Sequence, residues 1–436
     1  MNFKALFIIF ILLIAAFSVG CTEEATPTDS LKIGVVASMS GPASTTGKDI
    51  WQSAVMAADE INDNGGVYIK ELGKKVPITL ILGDDESTRE GGQKAVSKLI
   101  THDNVNVLVG GFSSAVVSAH QSIVAEYNVP YIITGASSPV ITRRTDIDTS
   151  DMFHHAPTCD ASARQTTLFI NDTIRPAVNA KFGFASDRPL RLAILYQDSP
   201  YGKGVESAIE NTIATENLNI QIVDKENFRM GEADFRTVLT TIKAAKPDAV
   251  YAATFLNEQI PLVLQARRDV GLDTIFLAVE CNDDPDYYEG VGKSGEYSII
   301  QSRFGPYALP QGDIASGIIN FKNNFESKWG GFPGMMGAST YEGIFIAAQA
   351  VEDAGTLDKG KISDAIAVIE MPQIVETMQN QTIMFTSDYR ESQFELYMEQ
   401  LIWDNDINEL RAKIVWPDSL KEADFVLPDW YVPGSP

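Results

Sequence analysis

Two stretches constrain what this chain can fold into: Val107-Leu-Val-Gly-Gly-Phe-Ser-Ser-Ala115 and Pro130-Tyr-Ile-Ile-Thr-Gly-Ala-Ser-Ser-Pro139. Each is a short apolar run that ends in a turn rich in Gly and Ser. A helical pattern, Val116 to Tyr127, follows the first turn. Apolar runs of this length read as strands. In an open α/β sheet the turns that follow lie at the carboxyl ends of the strands, where ligands bind. A Ser at the start of a helix offers a hydroxyl beside free backbone N–H groups, a seat for an anion. Ser114 and Ser137 stand 23 residues apart on these turns. Either they converge on one carboxylate or they are capping serines of ordinary βα loops.

The rest of the chain repeats the alternation. Leu31 to Ala37 reads as a strand. Lys48 to Asn64 reads as a helix with Ile50, Ala54, Ala57 and Ile61 on one face and Gly65-Gly66 as its stop. Strand Ile78 to Leu82, helix Gln93 to Ile100 and strand Val105 to Val109 continue the series. A second series starts with helix Ala161 to Ile170 and strand Arg191 to Tyr196. It runs through a turn at Tyr201-Gly-Lys-Gly204 to strand Asp248 to Ala253, helix Ile260 to Val270 and strand Thr274 to Val279. Alternation of this kind predicts two doubly wound parallel sheets. Helices Ile314 to Trp329 and Thr340 to Ala354 are expected to return to the first lobe. Phe394 to Trp416 is expected to form strands with Trp403 and Trp416 packed inside.

The chain has 436 residues, enough for two or three domains. Its net charge of −24 is spread without long acidic runs, and nucleic acid, which needs a basic face, is excluded as a partner. Residues 1–20 read as a signal peptide: Lys4 gives a positive start and Ala5 to Phe17 is an apolar run too short to span a bilayer comfortably. Ser18-Val-Gly-Cys21 is similar to a lipobox, with Ser18 where Leu is commoner. That implies lipidation of Cys21, with simple cleavage or an uncleaved anchor as the alternatives. Residues 21–30 would be a polar tether. Cys159 and Cys281 remain, free to pair or to stay reduced.

Catalytic motifs fail on inspection. Gly41 to Lys48 has five residues between its glycines and Asp49 after the Lys, so it is no triphosphate loop. Gly110 to Ser114 lacks the spacing of a nucleophile elbow. Of four His, His154 and His155 are adjacent and point to opposite sides of an extended segment, and no HExxH occurs. No catalytic residue, metal or cofactor is expected, and the chain is not read as an enzyme.

Ile33-Gly-Val-Val-Ala-Ser-Met-Ser-Gly-Pro42 and Ala57-Ala-Asp-Glu-Ile-Asn62 with Gly65-Gly66 resemble the opening of type I periplasmic solute-binding proteins. The pattern is most similar to the leucine/isoleucine/valine-binding proteins of ABC transporters. Asp84-Asp85, Gly110-Gly111, Val129-Pro130-Tyr131, Tyr201-Gly-Lys-Gly204, Asp234-Phe235, Lys246-Pro-Asp-Ala249 and Gln265-Ala-Arg267 follow in the family's order. The resemblance implies two lobes joined by a three-segment hinge near His155–Pro157, Gln301–Phe304 and Thr386–Tyr389. Lobe 1 would be 31–156 plus 302–388, and lobe 2 157–301 plus 389–436. The lobes would close on a ligand between them.

Carried over residue by residue, the resemblance puts the carboxylate-binding hydroxyls on Ser114 and Ser137, and backbone groups for both ends of the ligand at Gly135 and Ala136. It puts the partner of the ligand ammonium on Glu280, which could also be a solvated loop carboxylate. Tyr201, Phe255 and Phe112 fall where apolar pocket walls are expected, or are core aromatics. Thr46 departs from the pattern, standing where an aromatic residue is common, and leaves the ligand's identity open. The implied role is an extracytoplasmic, lipid-anchored protein that binds an amino acid or analogue and hands it to an ABC permease. A ligand-sensing receptor for an amide, urea or small organic acid is the alternative.

Overall fold

A computed structural model describes residues 30–434. Counting only strands of the two large sheets, the first sheet holds β1 (Leu31–Ala37), β2 (Ile78–Asp84), β3 (Val107–Gly110), β4 (Tyr131–Ile133) and β5 (Met152–His154). Their order is β2-β1-β3-β4-β5, and every pair is parallel. β3 and β4 are buried at every position, which is why they carry unbroken apolar runs.

The second sheet repeats the plan. β6 (Leu190–Gln197), β7 (Ile220–Phe228), β8 (Ala249–Ala253), β9 (Ile275–Ala278) and β10 (Ile299–Ser302) are parallel in the order β7-β6-β8-β9-β10. Beyond β10 the sheet departs from the expected all-parallel form. β11 (Tyr397–Asp404) and β12 (Glu409–Trp416) are a hairpin added antiparallel to β10. Only four residues separate these strands, too few for the crossover that a parallel pair requires. Trp403 and Trp416 are half-buried on this edge rather than enclosed.

Local signals set the helix ends. The first-lobe helix Ser44–Asp63 stops before Gly65 and Gly66, both at positive φ (94° and 85°). Helix Arg89–Thr101 starts at Thr88, whose side chain accepts from Gly91 N–H. Helix Ser114–Tyr127 ends at Asn128 in the left-handed conformation. Helix Met335–Ala354 lies against Ser44–Asp63, where the Tyr341 hydroxyl donates to Glu60 at 2.6 Å.

The chain leaves the first sheet after His154 and the second after Ser302. On its last passage it still bridges β5 through Glu391, then joins the second sheet at Tyr397. We therefore propose that the first-lobe portion extends to Glu391 instead of ending at 388. Among the described residues, no helix is long and apolar enough to cross a membrane. The signal peptide, the tether to residue 29 and Cys21 lie outside the described residues.

Candidate ligand-binding cleft

In both sheets the chain reverses its direction of winding between the first strand and the third. For the first sheet that point lies between β1 and β3, and for the second between β6 and β8. Ligands of open α/β sheets bind outside the strand ends at such switch points. Phe112 and Ser114 follow β3, Tyr201 follows β6, and Phe255 follows β8. The aromatic and hydroxyl residues singled out in the sequence thus cluster at the two switch points.

The turn after β3 depends on glycine. Gly110 and Gly111 have φ of 108° and 83°, and a Cβ on Gly111 would run into the Tyr131 hydroxyl. The reversal delivers Phe112 to the lobe boundary, where its ring lies 4.6 Å from that of Phe255. Phe255 is fixed by Glu258, whose carboxylate accepts from its N–H at 2.9 Å. The Tyr201 ring also stacks with that of Phe255, at 5.9 Å, and the Ser199 cap on Gly202 N–H fixes the start of its helix.

Phe112, Gly135, Ser137 and Met336 meet Tyr201, Phe255, Glu280 and Cys281 around a cavity of about 10 Å³. That is room for about one water molecule, so the two sets of residues are shut on one another. The Ser137 hydroxyl lies 3.3 Å from Glu280 Oε1 and 3.2 Å from the Gly135 carbonyl. Two expected site residues also make hydrogen bonds within the chain. Ser114 Oγ accepts from Ser138 N–H at 3.2 Å and so ties the first turn to the second. Ala136 donates its N–H to Gly111 O at 2.9 Å, and its carbonyl is hydrogen-bonded to His154 Nε2. Its backbone groups are therefore spent inside the chain, and of the expected pair only Gly135 faces the cavity. Cys159 and Cys281 are unpaired and buried.

Sequence reasoning missed the charges behind Glu280. Its Oε2 pairs with Arg303 Nη1. Arg303 is fully buried, and its Nε donates to Glu376 at 2.5 Å and its Nη2 to Ser339 at 2.7 Å. Glu376 lies 3.3 Å from His155 Nε2, which also contacts Glu342 at 3.0 Å. Glu342 Oε1 accepts backbone N–H groups of Ile374, Val375 and Glu376, and His155 Nδ1 meets Ser392 at 3.0 Å. One continuous chain of charges, Glu280–Arg303–Glu376–His155–Glu342, therefore runs from the cleft through two of the connections between the lobes, at Arg303 and His155, and touches the third where His155 meets Ser392. The expected crossings at His155 and at Gln301–Phe304 already contained His155 and Arg303, and a charged residue in a buried connection is the signal that would have found them.

Burial pushes the Glu280 carboxyl above its ordinary value, against the pull of Arg303. Burial likewise disfavours the charged ring of His155, yet Glu342 and Glu376 lift it above its ordinary value. His155, Glu342 and Glu376 also form a compact set of donor atoms of the kind that holds a metal. Glu376 Oε1 is bonded to Arg303 and Ser339, Glu342 Oε1 to three backbone N–H groups and His155 Nδ1 to Ser392, while Glu376 Oε2 has no hydrogen bond and only its 3.3 Å contact with His155.

Residues 30–393 match the model of a family described as periplasmic binding protein. The chain belongs to that family. This periplasmic binding protein is 25% identical over 335 residues to the Leu/Ile/Val-binding protein homolog 1 of Brucella suis, covering 77% of this chain and 81% of that one. Its fold is similar to the branched-chain amino acid transporter substrate binding protein LivJ of Streptococcus pneumoniae, solved with isoleucine. The TM-score is 0.72 at 21% identity, covering 89% of this chain and all of that one. It is also similar to a solute binding protein of an ABC transporter from Rhodopseudomonas palustris, solved with 3,4-dihydroxybenzoic acid. There the TM-score is 0.70 at 21% identity, covering 88% and 95%.

Proposed function

We propose that this periplasmic binding protein is the extracytoplasmic substrate-binding component of an ABC importer, lipid-anchored through Cys21, and that it binds an α-amino acid between its lobes. The observation that carries the reading is the approach of Ser137 and Glu280 to 3.3 Å across the lobe boundary. A zwitterion leaving water needs a partner for each charge, because an unpaired buried charge costs several kcal/mol. The first turn of helix Ser114–Tyr127 and the Ser137 hydroxyl suit the carboxylate, and Glu280 suits the ammonium. Phe112, Tyr201, Phe255 and Met336 would enclose an apolar side chain. Relatives named for leucine, isoleucine and valine support the branched-chain class.

The pairing of Glu280 with Arg303 favours a second reading. A carboxylate already matched by a guanidinium does not require a ligand ammonium, and three aromatic rings suit an aromatic or small organic acid. Titration calorimetry of residues 22–436 with leucine and with benzoate separates the two. Saturable heat with leucine alone supports the amino-acid reading, heat with benzoate alone supports the organic-acid reading, and heat with neither across amino acids, amides and small acids overturns both.

A further inference from the structure

A second and much larger cavity, of about 760 Å³, opens between the same two halves of the molecule and shares no lining residue with the first. Its volume lies within the usual range of small-molecule sites. Helix Ser44–Asp63 of the first lobe supplies Asp49, and the helix Pro285–Val291 that follows β9 supplies Asp284 at its start. Both are more than nine-tenths buried, at 8% and 7% exposure. A Cβ on Gly334 would collide with Asp284 Oδ2 and lie 3.0 Å from Asp49 Oδ2, so the two carboxylates converge on one point from opposite lobes.

Their hydrogen bonding is unequal. Asp49 accepts from Gly334 N–H at 3.1 Å and Gly337 N–H at 2.6 Å. Asp284 Oδ1 accepts from Asp286 N–H at 2.8 Å, but Oδ2 has no hydrogen-bond or ion-pair partner among the described residues. Burial pushes the Asp284 carboxyl up to about 7, and burial followed by the Asp284 charge lifts Asp49 well above its ordinary value. Two desolvated carboxylates facing each other lack a cation.

The remaining wall is acidic and aromatic. Asp286, Glu289, Glu326 and Glu409 add negative charge, while Lys48 and Arg411 are the lining bases, and Arg411 is tied to Glu409 at 2.8 Å. Tyr307 and Phe332 line the cavity and already hold cations of the chain over their faces: Arg411 at 4.5 Å and Lys322 at 5.1 Å. Such faces attract organic cations. No three donor atoms of this cavity form a compact metal-holding set, since His155, Glu342 and Glu376 make the only one found among the described residues. Diffuse charge with aromatic walls fits an organic cation better than a small dication.

We propose that this cavity binds an aliphatic amine, with a cationic nitrogen seated between Asp49 and Asp284 and its chain along Tyr288, Tyr307 and Phe332. Occupancy would bridge the two lobes independently of the Glu280 cleft.

The probe is spermidine, titrated into residues 22–436 at fixed ionic strength, with magnesium chloride as the control for charge alone. The expected result is one saturable site for spermidine, weakened about tenfold by Asp284→Asn, which keeps the cap on Asp286, and unchanged by Glu280→Gln. Asp286→Asn, at an exposed lining position, should weaken it by a smaller factor if Asp284→Asn does not fold. Calorimetry of the unmodified protein in buffers of different ionisation heat should show protons released near pH 7 on binding. Absence of saturable heat, equal affinity for magnesium, or binding unaffected by both substitutions overturns the proposal.

Discussion

Glu280 and Arg303 form an ion pair at the point where the candidate cleft meets the connections between the lobes, and both residues are buried. Glu280 therefore faces two ways. One oxygen lies toward Ser137 in the cleft and the other toward the guanidinium. Any cation that reaches Glu280 from the cleft shares the carboxylate with Arg303, which links ligand charge to the segments that must flex when the lobes move.

That sharing sets the size of the first expected effect. Glu280→Gln keeps shape and removes charge. For an amino-acid ligand it should weaken binding by about 1–3 kcal/mol, less than for a carboxylate whose sole partner is the ligand, because Arg303 already offsets part of the charge. A ligand without an ammonium should lose little. Titration calorimetry with leucine and benzoate reads both, and an unchanged affinity for an amino acid that binds the native protein would rule out Glu280 as its ammonium partner.

Arg303 is predicted to matter more for stability than for contact with ligand. Arg303→Met leaves Glu280 and Glu376 buried without their common cation and should cost about 3–5 kcal/mol. Equilibrium urea unfolding measures the loss. A double change, Arg303→Met with Glu376→Gln, should recover part of it, since the second substitution removes one of the uncompensated charges.

Stability should also fall as pH rises. Burial raises Asp283 and Asp284 from the ordinary 3.8 to about 7. Their contribution is complete below pH 3.8 and is lost as pH rises through 7, because the folded state binds the extra protons in that window. His155, raised by Glu342 and Glu376, has the same sign: its share is present below its ordinary 6.5 and is lost as pH rises through the higher folded value. Unfolding free energies from urea titrations at pH 5.5 and pH 8 should differ by an amount on the order of 2–4 kcal/mol, with the lower pH more stable. Asp284→Asn should flatten the slope, and an equal slope in that variant would show that other groups carry it.

The sequence made the fold legible because each strand, turn and helix cap is a local signal. Gly110-Gly111 and the Ser turns announced the switch point of the first sheet, and Tyr201-Gly-Lys-Gly204 that of the second. The antiparallel hairpin Tyr397–Trp416 was not legible, since a strand's partner and direction are set by tertiary contacts absent from its own residues. The same holds for Arg303 and Glu376, which are 73 residues apart in sequence and 2.5 Å apart in space. Ser114 adds a contact of the same kind: its hydroxyl accepts from Ser138 N–H, a turn-to-turn bond that no motif records and that leaves its own O–H to donate.

Cys281 gives a direct view of lobe motion. It lines the small cleft, it is buried, and burial pushes its thiol well above the ordinary range. A thiolate is the reactive form, so in the shut arrangement Cys281 should resist alkylation. A cavity of about 10 Å³ admits no amino acid, and entry of one therefore requires the lobes to part and expose Cys281. In residues 22–436 with Cys159→Ser, maleimide labelling should then proceed at the rate of opening and should slow about tenfold or more when ligand saturates the cleft. Cys159, whose thiol is pushed up to about 12 by burial and lies behind helix Pro200–Thr215, should label far more slowly in the matching Cys281→Ser protein. Equal labelling of Cys281 with and without ligand would show that the lobes do not close over it.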